Sequence, residues 1–377
     1  MEKKSKLYVG MDVHKDTVMV ALLPAEAPEP TVVKRLPNEA SKIRRWLGRI
    51  SREGEVRACY EASGAGYVLE RAMRHWGYEC EIVAPSLIPR RLGDRRKHDR
   101  KDATELARLY RAGELVTIRI PTEREERVRD VVRCREVFQR EILKSRHYIL
   151  KFLARRGLVY REGRNWTGKH MSWLRALQRD GALEGEDRLV FGEYLALFDY
   201  KLGRREELDR RIEALALAPA YREAVGRLCC LKGISTHAAM VLATEIGDFR
   251  RFESPGKLMA YMGLVPSEHS SGASRRLGAI TKAGNSRVRH VLVQAAWSYR
   301  FVPRRGPALS RRQQGQTPEV IAHGWKAQHR LHKVFGRLSF RKNNQIAAVA
   351  VARELAGFVW AVMQDAGEHA GANRDAA

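Results

Sequence analysis

The first 115 residues alternate apolar, β-branched runs with segments of helical periodicity. Residues 6–23 predict two strands around a tight connection. Further strands are predicted at residues 31–35, 56–60 and 80–84. Between them, apolar residues recur at helical spacing, as at Ile43, Leu47 and Ile50. Strands that alternate with helices predict an α/β domain.

From residue 123 to about 217 the pattern changes to long stretches with helical periodicity. One apolar seam contains Val128, Val131, Phe138, Ile142, Ile149 and Phe152. A second contains Leu195, Phe198, Leu202, Leu208, Ile212 and Leu215. The two seams flank a connection rich in Gly, Arg and Trp at residues 155–168. This arrangement predicts an antiparallel coiled-coil arm, and an ordinary helical bundle fits the same pattern.

A further, mainly helical region begins near residue 225. The segment LKGISTHAAMVLATEIGDF resembles two helices around a Gly-containing hairpin, a unit that can present backbone amides to DNA phosphates. Later helices are predicted at about 285–299 and 346–363. The polar residues after 364 predict a disordered tail.

The charge of the chain favours a polyanionic partner. Lys and Arg total 70 against 44 Asp and Glu, for a formal net charge of +26. No apolar run reaches the ~20 residues expected of a membrane span, and the basic N-terminus runs directly into a strand pattern rather than a signal peptide. Five cysteines without CxxC spacing argue against a structural zinc site and favour a reducing, cytoplasmic setting.

Four carboxylates are the strongest chemical signal in this basic chain. Asp12 and Glu61 each end a strand-like run, where an unpaired acid is unexpected, and Asp99 and Asp102 lie one helical turn apart. Carboxylate oxygens are the ligands that Mg²⁺ prefers. Two such ions can activate an attacking oxygen and stabilise a leaving one. The four acids therefore indicate metal-assisted chemistry on phosphate.

The segment around Asp99 and Asp102 is rich in cations. Residues 86–111 contain nine Lys or Arg against four acids, and these cations could bind a nucleic-acid backbone beside the metal. The candidates are Arg95, Arg96, Lys97, Arg100 and Lys101. Spacing alone leaves a second interpretation open, in which Asp99 and Asp102 are solvated residues paired with Arg95, Arg100 or Lys101.

A second candidate constellation is the loop PSEHSSG at residues 266–272. Ser270 and Ser271 precede Gly272, which permits close backbone approach to a ligand, and a serine in a suitable environment can act as a nucleophile. A plain polar surface loop fits the same residues. The cations that could bind phosphate near this loop and in the later basic loop are Arg275, Arg276, Lys282, Arg287, Arg289, Arg304 and Arg305.

Five motifs follow one another along the chain: GMDVHKD, EASG, KHDRKDA, GLVPSEHSSG and ITKAGNSRVRHVLVQAAW. In this order they resemble the DEDD transposases of the insertion-sequence one-ten family over nearly the whole chain. The resemblance implies an RNase H-like domain of the RuvC type at 1–120 and a helical coiled-coil arm at 121–222. It also implies a mainly α transposase domain at 223–365, before a disordered tail at 366–377.

The resemblance also implies the chemistry. Asp12, Glu61, Asp99 and Asp102 would be the acidic tetrad that binds Mg²⁺ or Mn²⁺, and Ser271, with Ser270 as second choice, would form a phosphoserine with DNA. The implied partners are donor and target DNA, a guide (bridge) RNA and further copies of the chain, as a dimer assembling to a tetramer. The expected location is the nucleoid of a prokaryotic cytoplasm. A hydrolytic junction endonuclease and a non-enzymatic basic nucleic-acid-binding protein remain the rival interpretations.

Overall fold

The computed structural model describes residues 5–89, 99–268 and 276–364. The chain divides into two compact units, Met1–Pro121 and Thr122–Ala377, which are described separately. The predicted subdivision of the second unit into an arm and a C-terminal domain remains a prediction.

The first unit is built on a five-stranded mixed sheet. Its strands are β1 (Lys6–Val13), β2 (Thr17–Pro24), β3 (Val32–Pro37), β4 (Glu55–Glu61) and β5 (Glu79–Val83). Their spatial order is β3-β2-β1-β4-β5. β1, β2 and β3 pair antiparallel, whereas β4 pairs in parallel with both β1 and β5. The strands predicted from the apolar runs are confirmed, with ends shifted by one or two residues.

Helices cover both faces of this sheet. They are α1 (Ala40–Ile50), α2 (Val68–His75) and α3 (Asp99–Ala112). Val9 and Met11 of β1 pack in one core with Trp46 of α1 and Met73 of α2. α3 covers the opposite face, where its Ala103 joins a smaller apolar cluster from β2. β1 is therefore buried on both sides, which explains its nearly continuous apolar sequence.

The second unit begins with three helices that pack together. They are α4 (Glu123–Ala154), α5 (Gly168–Arg179) and α6 (Gly185–Ala216). Arg135 of α4 pairs with Asp209 of α6, and Phe152 stacks on Phe191. Since contacts further along α4 meet residues earlier in α6, the two 32-residue helices run antiparallel. α5 completes their apolar core through Leu174 and Leu177.

The remainder of this unit is mainly helical with one short hairpin. Its elements are α7 (Pro219–Cys229), α8 (Thr236–Ile246), α9 (Pro255–Tyr261), β6 (Pro266–Glu268), β7 (Leu277–Ile280), α10 (Ser286–Ala296), α11 (Pro307–Arg312), α12 (Pro318–Ser339) and α13 (Asn344–Val362). The segment 231–249, predicted to hold two helices around a hairpin, contains one helix, α8; α7 ends before it, and a turn containing Gly233 joins the two helices. Gly233 has a φ of +87°, and a Cβ there would lie 2.4 Å from the Ala295 carbonyl oxygen. Only glycine fits this turn.

The last helix corrects one expectation about apolar segments. The stretch Asn344–Gln364 is long and apolar enough to cross a membrane by length and composition alone. In the structure, however, Ala348, Val351, Leu355 and Val359 are buried within the core of the second unit. α13 is thus packed as a core helix, which explains its composition without a bilayer.

Candidate active site

Two of the predicted acids end neighbouring parallel strands. β1 and β4 pair with Met11 opposite Tyr60, so Asp12 and Glu61 are next in register. Because side chains alternate along a strand, Asp12 lies on the same face as Gly10, which α3 covers. Asp12 and Glu61 therefore share one face and one edge of the sheet.

Close packing of α3 on β1 brings two further acids to that edge. A Cβ on Gly10 would lie 2.1 Å from the Ala103 carbonyl oxygen and 2.5 Å from the Ala107 nitrogen. These distances leave no room for any side chain, so glycine at this position sets how closely the helix approaches. Asp99 and Asp102 lie in the first turn of α3, where the helix dipole favours carboxylates.

Asp12, His14 and Asp99 form a compact group in which one ligand atom of each lies within 4.8 Å of the others. His14 Nε2 is 3.1 Å from Asp12 Oδ2 and 3.8 Å from Asp99 Oδ1. Arg35 of β3 reaches the same site, with Nη2 3.3 Å from Asp99 Oδ2. Two carboxylates from distant parts of the chain thus meet around one imidazole and one guanidinium.

A hydrogen-bonded turn positions the His14 backbone. The His14 backbone nitrogen donates to the Thr17 carbonyl oxygen at 2.9 Å and closes the turn between β1 and β2. Asn38 anchors that turn, since its Nδ2 donates to the His14 carbonyl oxygen at 2.8 Å. Its backbone nitrogen donates to the Asp16 carbonyl oxygen at 3.0 Å. The imidazole is therefore presented by backbone that is fixed from two sides.

The structure brings together only part of the predicted tetrad. Within the described residues, the compact group contains Asp12 and Asp99. Glu61 lies at the same edge of the sheet, at the end of β4, and Asp102 lies in the same turn of α3 as Asp99, but neither is a member of the compact group. His14 was not predicted as a site residue. Its sequence signal was its position two residues after Asp12, which places both side chains on one face if the strand continues.

The donor set of this group fits a divalent cation. Asp12 and Asp99 offer the carboxylate oxygens that Mg²⁺ and Mn²⁺ favour, and His14 offers a nitrogen that Mn²⁺ also accepts. All three side chains are partly exposed, so the group is accessible to a phosphate from solvent. Asp12 and Asp99 are the carboxylates of this group that would hold the metal, with the His14 nitrogen beside them.

The predicted nucleophiles lie outside the described residues. Ser270 and Ser271 belong to the segment 269–275, as does Arg275, and Arg95, Arg96 and Lys97 belong to the segment 90–98. The structure does describe the two strands that flank the serine segment. β6 and β7 pair antiparallel, with Pro266 opposite Ile280 and Glu268 opposite Leu277.

A buried charge network supports the base of this hairpin. The Glu245 side chain of α8 is 2% exposed and receives two hydrogen bonds from Arg133 of α4, at 2.7 and 2.9 Å. Asn285 donates its Nδ2 to the same carboxylate at 2.8 Å, while its Oδ1 caps α10. Burial alone would raise the Glu245 pKa, but the hydrogen bonds and charge of Arg133 lower it overall. The carboxylate thus joins three helices just after β7.

Several predicted phosphate-binding cations have partners within the protein. Arg287 pairs with Glu136 of α4, and Arg289 donates to the Met262 carbonyl oxygen at 2.8 Å. Arg305 lies over the ring of Trp325 at 5.3 Å. Arg100 is exposed and follows Asp99 in the first turn of α3.

Comparison with known protein families shows which class of protein has this sheet and acidic edge. Residues 9–156 match the family model for a DEDD transposase, and residues 226–310 match the model described as the transposase IS116/IS110/IS902 family. A DEDD transposase domain has an RNase H-like fold, in agreement with the β3-β2-β1-β4-β5 sheet and its acidic edge. The fold and the site thus define an RNase H-like DNA-acting enzyme.

Individual relatives narrow this class to one family. A protein of Sinorhizobium fredii described as a transposase, y4qE, is 39% identical over 95% of this chain and 89% of its own length. The transposase for insertion sequence element IS1533 of Leptospira borgpetersenii is 31% identical over 89% of this chain and 97% of its own. A pilin gene-inverting protein of Moraxella lacunata is 23% identical over 78% and 82%. The chain belongs to the IS110 family of insertion-sequence transposases.

Proposed function

We propose that this transposase cuts and rejoins donor and target DNA through a covalent phosphoserine. The Asp12–His14–Asp99 group at the edge of an RNase H-like sheet, in a chain whose relatives are transposases, carries the metal-assisted part of the proposal. The serine is assigned from the resemblance of GLVPSEHSSG to the same family. A strongly basic chain suits a DNA substrate.

Ser271 is the proposed nucleophile, with Ser270 as the second choice. Its Oγ attacks the phosphorus of a phosphodiester, so that a serine–phosphate bond forms as a phosphate–sugar bond breaks. The serine proton passes, in net terms, to the departing sugar oxygen. Attack by a sugar hydroxyl of another strand reverses the step and frees the serine. Since one phosphate ester replaces another each time, strands can be exchanged without an external energy source.

Asp12, Glu61, Asp99 and Asp102 are the proposed metal-binding tetrad. A bound Mg²⁺ or Mn²⁺ supplies charge stabilisation to the phosphate undergoing transfer. His14 orients the Asp12 carboxylate through its 3.1 Å contact, and Arg35 holds Asp99 at 3.3 Å. Those contacts fix the donors before DNA arrives, which favours electrostatic stabilisation of the developing charge.

Site selection by a bridge RNA and assembly as a dimer or tetramer complete the proposal. The excess of cations would hold nucleic-acid backbones, while base pairing would select the sequence. Strand exchange acts on two duplexes, which favours more than one copy of the chain. The antiparallel α4 and α6 pair is the proposed coiled-coil arm. We further propose a cytoplasmic, nucleoid-associated location.

Trapping of a protein–DNA adduct tests the covalent mechanism. The full-length protein, purified with its RNA, is incubated with Mg²⁺ and a plasmid carrying the ends of its insertion sequence, then denatured. We expect DNA covalently bound to the wild type and to Ser270→Ala, and none bound to Ser271→Ala. The reverse pattern would move the nucleophile to Ser270, and adducts in both variants would exclude the serine mechanism. Sequencing of the co-purified RNA tests guidance independently.

A metal-dependent endonuclease is the second candidate, because the acidic group alone could support hydrolysis. It predicts Mg²⁺-dependent cleavage in both serine variants and no adduct. The pilin gene-inverting relative favours recombination instead, since inversion of a gene requires that cut strands be rejoined.

A further inference from the structure

One face of α12 carries an almost unbroken row of cations. Neighbouring members of the row are three or four residues apart, so they lie above one another on a helix. We call this row the α12 stripe, and its members are Lys326, Arg330, Lys333, Arg337 and, just beyond the helix end, Arg341. All five side chains are exposed, while the opposite face of α12 packs into the core of the second unit.

The stripe has little compensating charge. Arg330 pairs with Glu354 of α13 at 2.8 Å, and the other four cations make no ion pair with any residue in the part of the chain that the structure describes. Residues 320–353 contain no Asp or Glu. On α6, by contrast, Arg204 pairs with Glu207 and Arg205 with Asp209. Like charges one turn apart destabilise a helix, so the α12 stripe does not contribute to the stability of the fold. Its charge is instead complementary to that of a polyanion.

The spacing of the stripe matches the backbone of a nucleic acid. The twelve residues from Lys326 to Arg337 extend over about 16 Å of helix. Each strand of a double helix carries a phosphate about every 3.4 Å along the axis, and an extended single strand spaces its phosphates more widely, so at most about five phosphates fit beside the stripe.

A highly exposed aromatic residue ends the stripe. The Phe340 side chain is 92% exposed, more than any other exposed large apolar side chain among the described residues. It lies between Arg337 and Arg341 in sequence. Aromatic rings beside cations stack on unpaired bases, whose faces are free in single strands but covered in a duplex. The exposed Phe340 ring therefore indicates a single-stranded nucleic acid as the ligand.

We propose that the α12 stripe and Phe340 form a binding surface for a single-stranded segment of nucleic acid. The stripe holds the phosphates, and Phe340 stacks on an unpaired base. The surface lies outside residues 9–156 and 226–310, which carry the family matches, so the proposal does not depend on the serine mechanism.

Binding of labelled oligonucleotides to the full-length protein tests the phosphate contacts. The stripe variant is Lys333→Gln/Arg337→Gln/Arg341→Gln. Its matched control removes three surface cations that already have acidic partners, as Lys144→Gln/Arg175→Gln/Arg204→Gln. From anisotropy of single-stranded 12-mers over a range of salt, we expect the slope of log affinity against log salt to fall by about 2 in the stripe variant. The control should remain near the wild type, and equal slopes in both variants would overturn the proposal.

Substitution of Phe340 tests the stacking contact. Phe340→Leu keeps an apolar side chain but loses the ring, and we expect about fivefold or greater loss of single-strand affinity with an unchanged salt slope. Phe340→Tyr should retain affinity, and a duplex of equal length should bind all three proteins alike. Equal binding of the single strand by Leu and Tyr variants, or a larger loss on the duplex, would refute the assignment. DNA and RNA 12-mers in parallel distinguish the two sources of single strand.

Oligomeric state provides a last check on the same variants. Sedimentation of the stripe and Phe340 variants without nucleic acid should match the wild type. Dissociation of oligomers by these substitutions, with nucleic-acid binding intact, would identify the surface as a protein interface and overturn the proposal.

Discussion

Gly10→Ala perturbs the candidate site through the packing of one helix. The added Cβ would lie 2.1 Å from the Ala103 carbonyl oxygen, 2.5 Å from the Ala107 nitrogen and 3.0 Å from the Leu106 Cβ. Two of these contacts involve backbone, which cannot rotate away, so α3 would have to retreat by about 1 Å. Gly10 is not among the glycines with positive φ, and steric contact is therefore the obstacle to a side chain.

The expected effects can be estimated from this displacement. Overpacking of this kind destabilises a fold by about 1–3 kcal/mol. Asp99 begins α3 and would move with it, away from Asp12 and His14. A misplacement of about 1 Å in a site can lower activity about 100-fold. We therefore expect a modest loss of stability with a much larger loss of metal-dependent DNA cleavage.

Gly48→Ala is the matched control within the same unit. Gly48 lies inside α1, and a Cβ there would meet only the Tyr78 hydroxyl at 3.8 Å. Alanine in a helix interior stabilises by about 0.5–1 kcal/mol relative to glycine. Urea denaturation measures the stability of both full-length variants, a Mn²⁺-dependent DNA cleavage assay measures their activity, and Mn²⁺ titration measures their metal affinity. Wild-type stability and wild-type Mn²⁺ affinity in Gly10→Ala would refute the packing argument.

Three further predictions concern single side chains. His14→Gln should weaken Mn²⁺ binding about 10- to 100-fold by calorimetry, because the imidazole orients a neighbouring ligand; unchanged affinity would remove His14 from the site. Glu245→Gln should lower the free energy of unfolding, measured in urea, by about 3 kcal/mol. This is near the low end of the range for breaking a buried ion pair, because the Arg133 side chain is 36% exposed, and a change under 1 kcal/mol would contradict the prediction. Burial, with the nearby charge of Arg135, lowers the pKa of His237 to about 4 in the folded protein. In the unfolded chain His237 binds a proton near pH 6.5, so between these two pH values only the unfolded state is protonated there. Stability should therefore fall as pH drops from about 6.5 to about 4, and a melting-temperature profile equally steep in His237→Gln would show that another group is responsible.

The sheet and its acidic edge followed from local patterns. Apolar β-branched runs predicted all five strands of the first unit, because a strand buried on both faces needs a nearly continuous apolar sequence. Asp12 and Glu61 were conspicuous as acids that end such runs. The pairing of β1 with β4 then accounts for their shared edge, because parallel strands align their carboxyl ends.

The partners of Asp99 did not follow from local patterns. One of the two interpretations that the sequence left open paired Asp99 with Arg95, Arg100 or Lys101. In the structure Asp99 contacts Arg35, 64 residues earlier in the chain. His14 was missed for the same reason. Its role depends on a turn held by Asn38 and on the approach of α3 over Gly10, and none of these contacts is local.

By itself the sequence determined the element types, the basic character of the chain and the positions of its unusual acids, since each depends on residue type and short-range spacing. Tertiary structure decided which acids meet. Asp12, His14 and Asp99 converge because a glycine admits α3 against β1, whereas Arg287 and Arg289 contact Glu136 and Met262 inside the protein. Packing and long-range ion pairs depend on distances that no local pattern encodes, and these distances decide which charged side chains form the site.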